Sequence, residues 1–201
     1  PAVVEELCPD LNVIFSTNKL ENKHLNYLYN IADVTINLAS NEGFGLGTCE
    51  SLMCGTPIIV NVTGGLQDQC GFKLRGEYIN YRDYGAIESL HDWRKWENNE
   101  ELTHGEWVKP VWPKSRSLQG SPPTPYIFDD RADWYEVADR INEWYEMSKE
   151  ERDECGFKGH EFVCSDDAMM SARHMCQLFK DHMNTAFDKW TPREKYEVHK
   201  I

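Results

Sequence analysis

Apolar and polar positions follow two rhythms along this chain, and the changes of rhythm mark its parts. Residues 11–16 (LNVIFS) are an apolar, β-rich run and predict a strand. In 24–32 (HLNYLYNIA) the apolar residues 25, 28, 29, 31 and 32 keep helical spacing. Residues 33–38 (DVTINL) predict a strand, 39–47 a glycine-rich loop, and 48–54 a short helix closed by Gly55 and Pro57. Residues 58–62 (IIVNV) lack polar alternation, which predicts a strand buried on both faces, as in a parallel sheet. Strand, helix, strand, helix and strand in this short span make a right-handed, doubly wound α/β unit.

The rhythm is lost over 71–125, which is rich in Trp, Pro, Gly and charge. This segment reads as an insertion of loops and short hairpins packed on the core formed by 1–70. Trp93, Trp96, Trp107 and Trp112 are costly to leave in water, so a free linker is disfavoured. Residues 126–201 complete the same domain and are mostly helical. Helices are predicted over 133–147, over 148–163 with a Ser148–Glu151 capping box, and over 166–186.

Composition narrows the partners. A net charge of −13 argues against a nucleic-acid partner, although a local nest of amides can still hold a small anion. The seven cysteines are odd in number and form no C-x-x-C, which points to free thiols in a reducing compartment. His174, Cys176 and His182 fall on one predicted helix but match no zinc spacing. The sequon at Asn61–Thr63 ends a buried strand and reads as chance. No apolar run has membrane length, and no signal peptide is visible. The expected location is the cytoplasm.

The candidate chemistry lies in 41–65, NEGFGLGTCESLMCGTPIIVNVTGG. Gly43, Gly45 and Gly47 let the backbone approach a ligand, and the amides of 45–48 open a helix, a site for phosphate. Glu42 and Glu50 flank that nest and are acceptor-only groups suited to gripping diols on either side of the phosphate. Taken singly, Glu50 is also explained as a helix-dipole acid and Glu42 as a solvated loop acid. A dinucleotide fingerprint wants a small residue where Thr48 stands and an acid where the next strand ends in Asn61-Val62-Thr63, so a nicotinamide cofactor is disfavoured.

With its E-x7-E spacing followed by Cys-Gly-Thr-Pro, this stretch resembles retaining GT-B glycosyltransferases, the family that includes sucrose synthases and bacterial mannosyltransferases. The likeness extends upstream through LNYLYNIADVTINLAS and resumes over 126–163; the Trp-rich segment is similar to members carried by large algal viruses, for which the cytoplasm would be the host's. The resemblance implies a Rossmann-like doubly wound parallel sheet, the C-terminal half of a GT-B fold. It implies a nucleoside diphosphate sugar, GDP- or UDP-linked, as donor and a glycan or other hydroxyl as acceptor. Glu42 would be the catalytic residue, bonding the sugar's hydroxyls. Gly43, Phe44, Gly45 and Leu46 would hold the sugar and distal phosphate, Leu46 and Gly47 would pack near ribose and diphosphate, and Glu50 would bind the ribose. Lys19 and Leu20 match the position where the family holds the base through its backbone, although an exposed Lys19 explains itself equally well. Thr63–Gly65 reads as a tight turn or as the site floor.

The family's diphosphate-binding cations and its acceptor-binding N-terminal domain would precede Pro1. The expectation is therefore a part of a two-domain enzyme that transfers no sugar alone; a non-catalytic nucleotide-sugar-binding module is the alternative. No D-x-D occurs, so no metal and no cofactor are expected.

Overall fold

The computed structural model describes residues 2–79 and 99–192. Helix α1 (Ala2–Leu7) leads through an irregular stretch to α2 (Asn22–Ile31), β1 (Thr35–Asn37), α3 (Leu46–Met53), β2 (Ile58–Asn61) and α4 (Leu66–Gln69). Three very short strands follow, β3 (Lys73–Leu74), β4 (Glu77–Tyr78) and β5 (Leu102–Thr103), and pair antiparallel in the order β4-β3-β5. Then come β6 (Val108–Val111), the hairpin strands β7 (Pro113–Ser121) and β8 (Thr124–Ala132), and helices α5 (Trp134–Glu146), α6 (Lys149–Cys164) and α7 (Ala172–Lys189).

Strands β1, β2 and β6 form a parallel sheet with β2 in the middle, Ile58 lying opposite both Thr35 and Val108. All four residues of β2 are buried. Ile58 and Val60 meet Leu52, Leu66, Phe72, Trp107 and Phe162 on one face, while Ile59 meets Val111, Val137, Trp144 and Cys155 on the other. Side-chain alternation thus gives the sheet a packed layer on each side, and each fully buried aliphatic contributes about 1.5–3 kcal/mol. This is the two-sided burial that the unbroken apolar run predicts.

Four expectations are corrected. Residues 11–16 form no strand: the run pairs with no other strand among the described residues, and Ile14 and Phe15 are 84% and 57% exposed. A β-branched run becomes a strand only where an edge accepts it. Residues 108–111, read from sequence as part of the appended segment, are the third strand of the central sheet. Lys109 and Pro110 break the apolar pattern and hide the strand. Pro110 is tolerated because β6 is an edge among the described residues, with Trp107 and Val111 turned toward β2 and position 110 turned away. Helix α3 begins two residues earlier than predicted, at Leu46, because Gly45 already turns the chain. Helix α7 begins at Ala172, where the Ser171 side chain accepts from the His174 amide, and runs to Lys189.

Trp107 and Trp112 are buried, as expected of tryptophans in this segment, and Trp107 Nε1 donates to the Gln69 carbonyl at 3.0 Å. Trp93 and Trp96 lie outside the described residues. Both halves of the Ser148–Glu151 capping box are formed. Ser148→Ala should therefore lower stability by about 1 kcal/mol in a thermal melt, and an unchanged melt would remove the cap from the account. Where α6 crosses the turn after α3, a Cβ on Gly156 would stand 1.8 Å from the Gly55 carbonyl oxygen, so glycine sets the approach of these elements.

Candidate functional site

The glycine-rich loop leaves the carboxyl end of β1, and the Thr63–Gly65 turn leaves the carboxyl end of β2, so the two meet where parallel α/β sheets bind ligands. Gly45 is the N-cap of α3 and is left-handed, φ +86°. A Cβ there would also stand 2.5 Å from Leu66 Cδ2, so glycine is required twice over. The Gly45 carbonyl accepts the Cys49 amide at 3.0 Å and the Thr48 hydroxyl at 3.0 Å. Thr48 is buried and turned inward, leaving the first-turn amides of α3 facing out of the helix end.

The three glycines do different work. Gly45 serves the fold, Gly47 makes room for the Tyr29 hydroxyl, which would be 3.3 Å from a Cβ, and Gly43 faces open space. Phe44 and Leu46 between them are exposed.

Gln69 locks the turn. It is fully buried, and its Nε2 donates to the carbonyls of Phe44 at 2.6 Å and Gly45 at 2.9 Å. The Gly65 amide donates to the Glu42 carbonyl at 2.9 Å, so the Thr63–Gly65 turn forms a floor under the loop. Glu42 is half-buried above that floor. Glu50 is exposed one turn into α3 and accepts from the Tyr29 hydroxyl at 3.3 Å. Burial first, and the Glu50 charge second, push the Tyr29 hydroxyl above its ordinary pKa, so it stays protonated and donates. Lys19 is exposed and Leu20 half-buried in the irregular stretch before α2, the helix that carries Tyr29. No hydrogen bond or ion pair joins them to the loop among the described residues.

On the far side of the loop stands the β7–β8 hairpin. Asp130 donates its amide to the Ser40 carbonyl at 2.8 Å, and Asn41 Nδ2 donates to the Phe128 carbonyl at 3.4 Å. Asn61, fully buried, donates to the carbonyls of Ala39 at 3.0 Å and Asp130 at 2.7 Å. The strand end where a dinucleotide site would carry its ribose acid thus holds a core amide. The contacts that Gln69, Tyr29 and Asp130 make carry no signal in the sequence, because each acts through a partner at least 21 positions away.

A cleft of about 550 Å3 opens instead at the amino ends of β1 and β2, between Asp33, Cys54–Pro57 and Arg152. It shares no residue with the glycine loop.

The fold is α/β with a parallel sheet, and fold and loop together resemble the Rossmann-like, C-terminal half of a GT-B glycosyltransferase. Residues 5–102 match the family model of the glycosyl transferases group 1. A D-inositol 3-phosphate glycosyltransferase of Geodermatophilus obscurus is 31% identical over 86 residues, 41% of this chain and 19% of that protein. A protein of the same description from Thermomonospora curvata is 49% identical over 62 residues, 29% of this chain and 14% of its own length. The solved sucrose-phosphate synthase of Thermosynechococcus elongatus shares the fold, with a TM-score of 0.54 at 19% identity over 92% of this chain and 33% of that one. The chain thus spans at most a third of these proteins. Among the described residues no helix is long and apolar enough to cross a membrane.

Proposed function

We propose that this domain binds a nucleoside diphosphate sugar, GDP- or UDP-linked, as donor for transfer to an acceptor hydroxyl with retention at the anomeric carbon. The observation that carries the reading is the left-handed Gly45 at the head of α3, locked by Gln69 between Glu42 and Glu50. In it the first-turn amides of α3 take the distal phosphate and stabilise charge as the diphosphate leaves. Glu42 bonds the sugar hydroxyls, and those bonds strengthen as the ring gains positive charge. Glu50, steadied by Tyr29, takes the ribose hydroxyls; Leu46 and Gly47 pack against ribose and diphosphate, and the backbone at Lys19 and Leu20 takes the base. A second, acceptor-binding GT-B domain completes the enzyme. The free thiols described at all seven cysteines suit a reducing cytoplasm.

A thermal-shift panel tests the reading. Either UDP-glucose and UDP or GDP-mannose and GDP should raise the melting temperature in proportion to the logarithm of concentration, and NAD should not. A shift with NAD alone would overturn it. Metal independence belongs to the same proposal, supported by the absence of D-x-D. EDTA should leave the rate unchanged in any preparation that transfers sugar; a loss restored by manganese would remove this part.

A further inference from the structure

The hairpin meets the Glu42 loop chiefly through Asp130, a carboxylate only 4% exposed. Its amide and carbonyl hold Ser40 and Asn61. Its carboxylate accepts the Thr63 hydroxyl at 2.9 Å and the Arg116 guanidinium through Nε and Nη2, the latter at 2.7 Å. Arg116 in turn lies over the Phe128 ring, 5.6 Å from its centroid. One residue thus joins both strands of the hairpin, the end of β2, and the approach to the donor loop.

Taking a carboxylate out of water costs several kcal/mol, offset here by the two-pronged Arg116 pair and the Thr63 bond. Fastening the hairpin to the sheet does not require it, because the Ser40 and Asn61 bonds already use the Asp130 backbone. What the carboxylate adds is Thr63, and Thr63 opens the turn whose Gly65 amide holds the Glu42 carbonyl. Glu42 is therefore fixed from upstream through Ser40 and from beneath through Thr63–Gly65, and both routes end on Asp130. The amide nest and Glu50 are fixed separately, by Gln69 and Tyr29.

We infer that Asp130 is a positioning residue for Glu42, setting where that carboxylate meets the donor sugar without touching the donor itself. The inference rests on the proposed sugar contact of Glu42. A group misplaced by about 1 Å at a reacting centre loses up to 100-fold, so the constraint is worth a buried charge.

The test is an amide-resolved NMR titration of the 201-residue chain with two pairs of probes, UDP with UDP-glucose and GDP with GDP-mannose. In wild type, the affinity ratio of sugar nucleotide to diphosphate measures the grip on the sugar. In Asp130→Asn that ratio should fall roughly tenfold while diphosphate affinity changes by less than about twofold, since one charged contact is displaced and the nest is not. Thr63→Val, which keeps size and removes one bond, should move the ratio the same way by a smaller factor, and decides the matter if Asp130→Asn does not fold. Variants that weaken both ligands alike, leaving the ratio at its wild-type value, would show a merely structural strap and overturn the inference. Equal wild-type affinities for sugar nucleotide and diphosphate, or binding of neither, would overturn the donor reading and the inference with it.

Discussion

Gly64→Ala should destabilise the protein by roughly 2–5 kcal/mol and displace the Glu42 loop. Gly64 is left-handed, φ +48°, and a Cβ would stand 2.0 Å from the Glu42 carbonyl oxygen. The oxygen belongs to the backbone and the backbone fixes the Cβ, so no rotamer relieves it. The loop must retreat, and the Gly65-to-Glu42 hydrogen bond goes with it. Two other glycines separate the causes. Gly76 is left-handed, φ +88°, with nothing within 4 Å, so Gly76→Ala should show only the conformational cost, about 1–2 kcal/mol. Gly43 likewise has nothing within 4 Å and no positive φ, so Gly43→Ala should leave the melt nearly unchanged. Melting temperatures of the three variants, with sugar-nucleotide titrations of each, provide the check. A Gly64→Ala protein no less stable than Gly76→Ala would mean that the floor does not press on the loop.

Glu42→Ala and Glu50→Ala should fail in different ways. Glu50 faces the ribose in the proposed complex, so its loss should weaken binding of the bare nucleoside diphosphate by roughly 1–3 kcal/mol. Tyr29→Phe should follow in the same direction by less, because its hydrogen bond to Glu50 is long. Glu42→Ala should leave diphosphate affinity nearly intact and lower turnover, since the lost contact is to the part that reacts. Calorimetry with the diphosphate and initial rates in a preparation that transfers sugar provide the two readouts. A Glu42→Ala variant that no longer held the diphosphate, beside a Glu50→Ala variant that held it normally, would reverse the assignment.

Legibility followed the range of the interactions. The helix at Asn22–Ile31 and the strand at Ile58–Asn61 were readable because spacing and two-sided burial are written in adjacent residues. The Ser148–Glu151 cap was readable for the same reason. The strand at Val108–Val111 was not, because what makes Lys109 and Pro110 acceptable is an edge position known only once β2 is in place. The site divides along the same line. Glu42, the glycines and Glu50 stand in one stretch whose spacing suggests a ligand. Gln69, Tyr29 and Asp130, which hold that stretch in shape, come from elsewhere in the chain and look like ordinary polar residues until the fold brings them in.

The close crossing at Gly156 has a consequence at the other end of α3. With α6 lying on the Gly55 carbonyl, the tail of α3 is pinned by backbone contact, while its head is pinned by Gln69 and Gly45. The wall formed by α3 is thus one stiff piece that leaves substitution little latitude. The opposite wall, the hairpin, is attached by the Asp130–Ser40 backbone bond and by side-chain bonds at Asn41, Asn61 and Thr63, and exchange of a few residues can redraw the side-chain bonds. Under the proposed function, a lineage built on this domain can therefore change which sugar it handles by rewriting the hairpin, while its hold on the nucleotide is inherited unaltered.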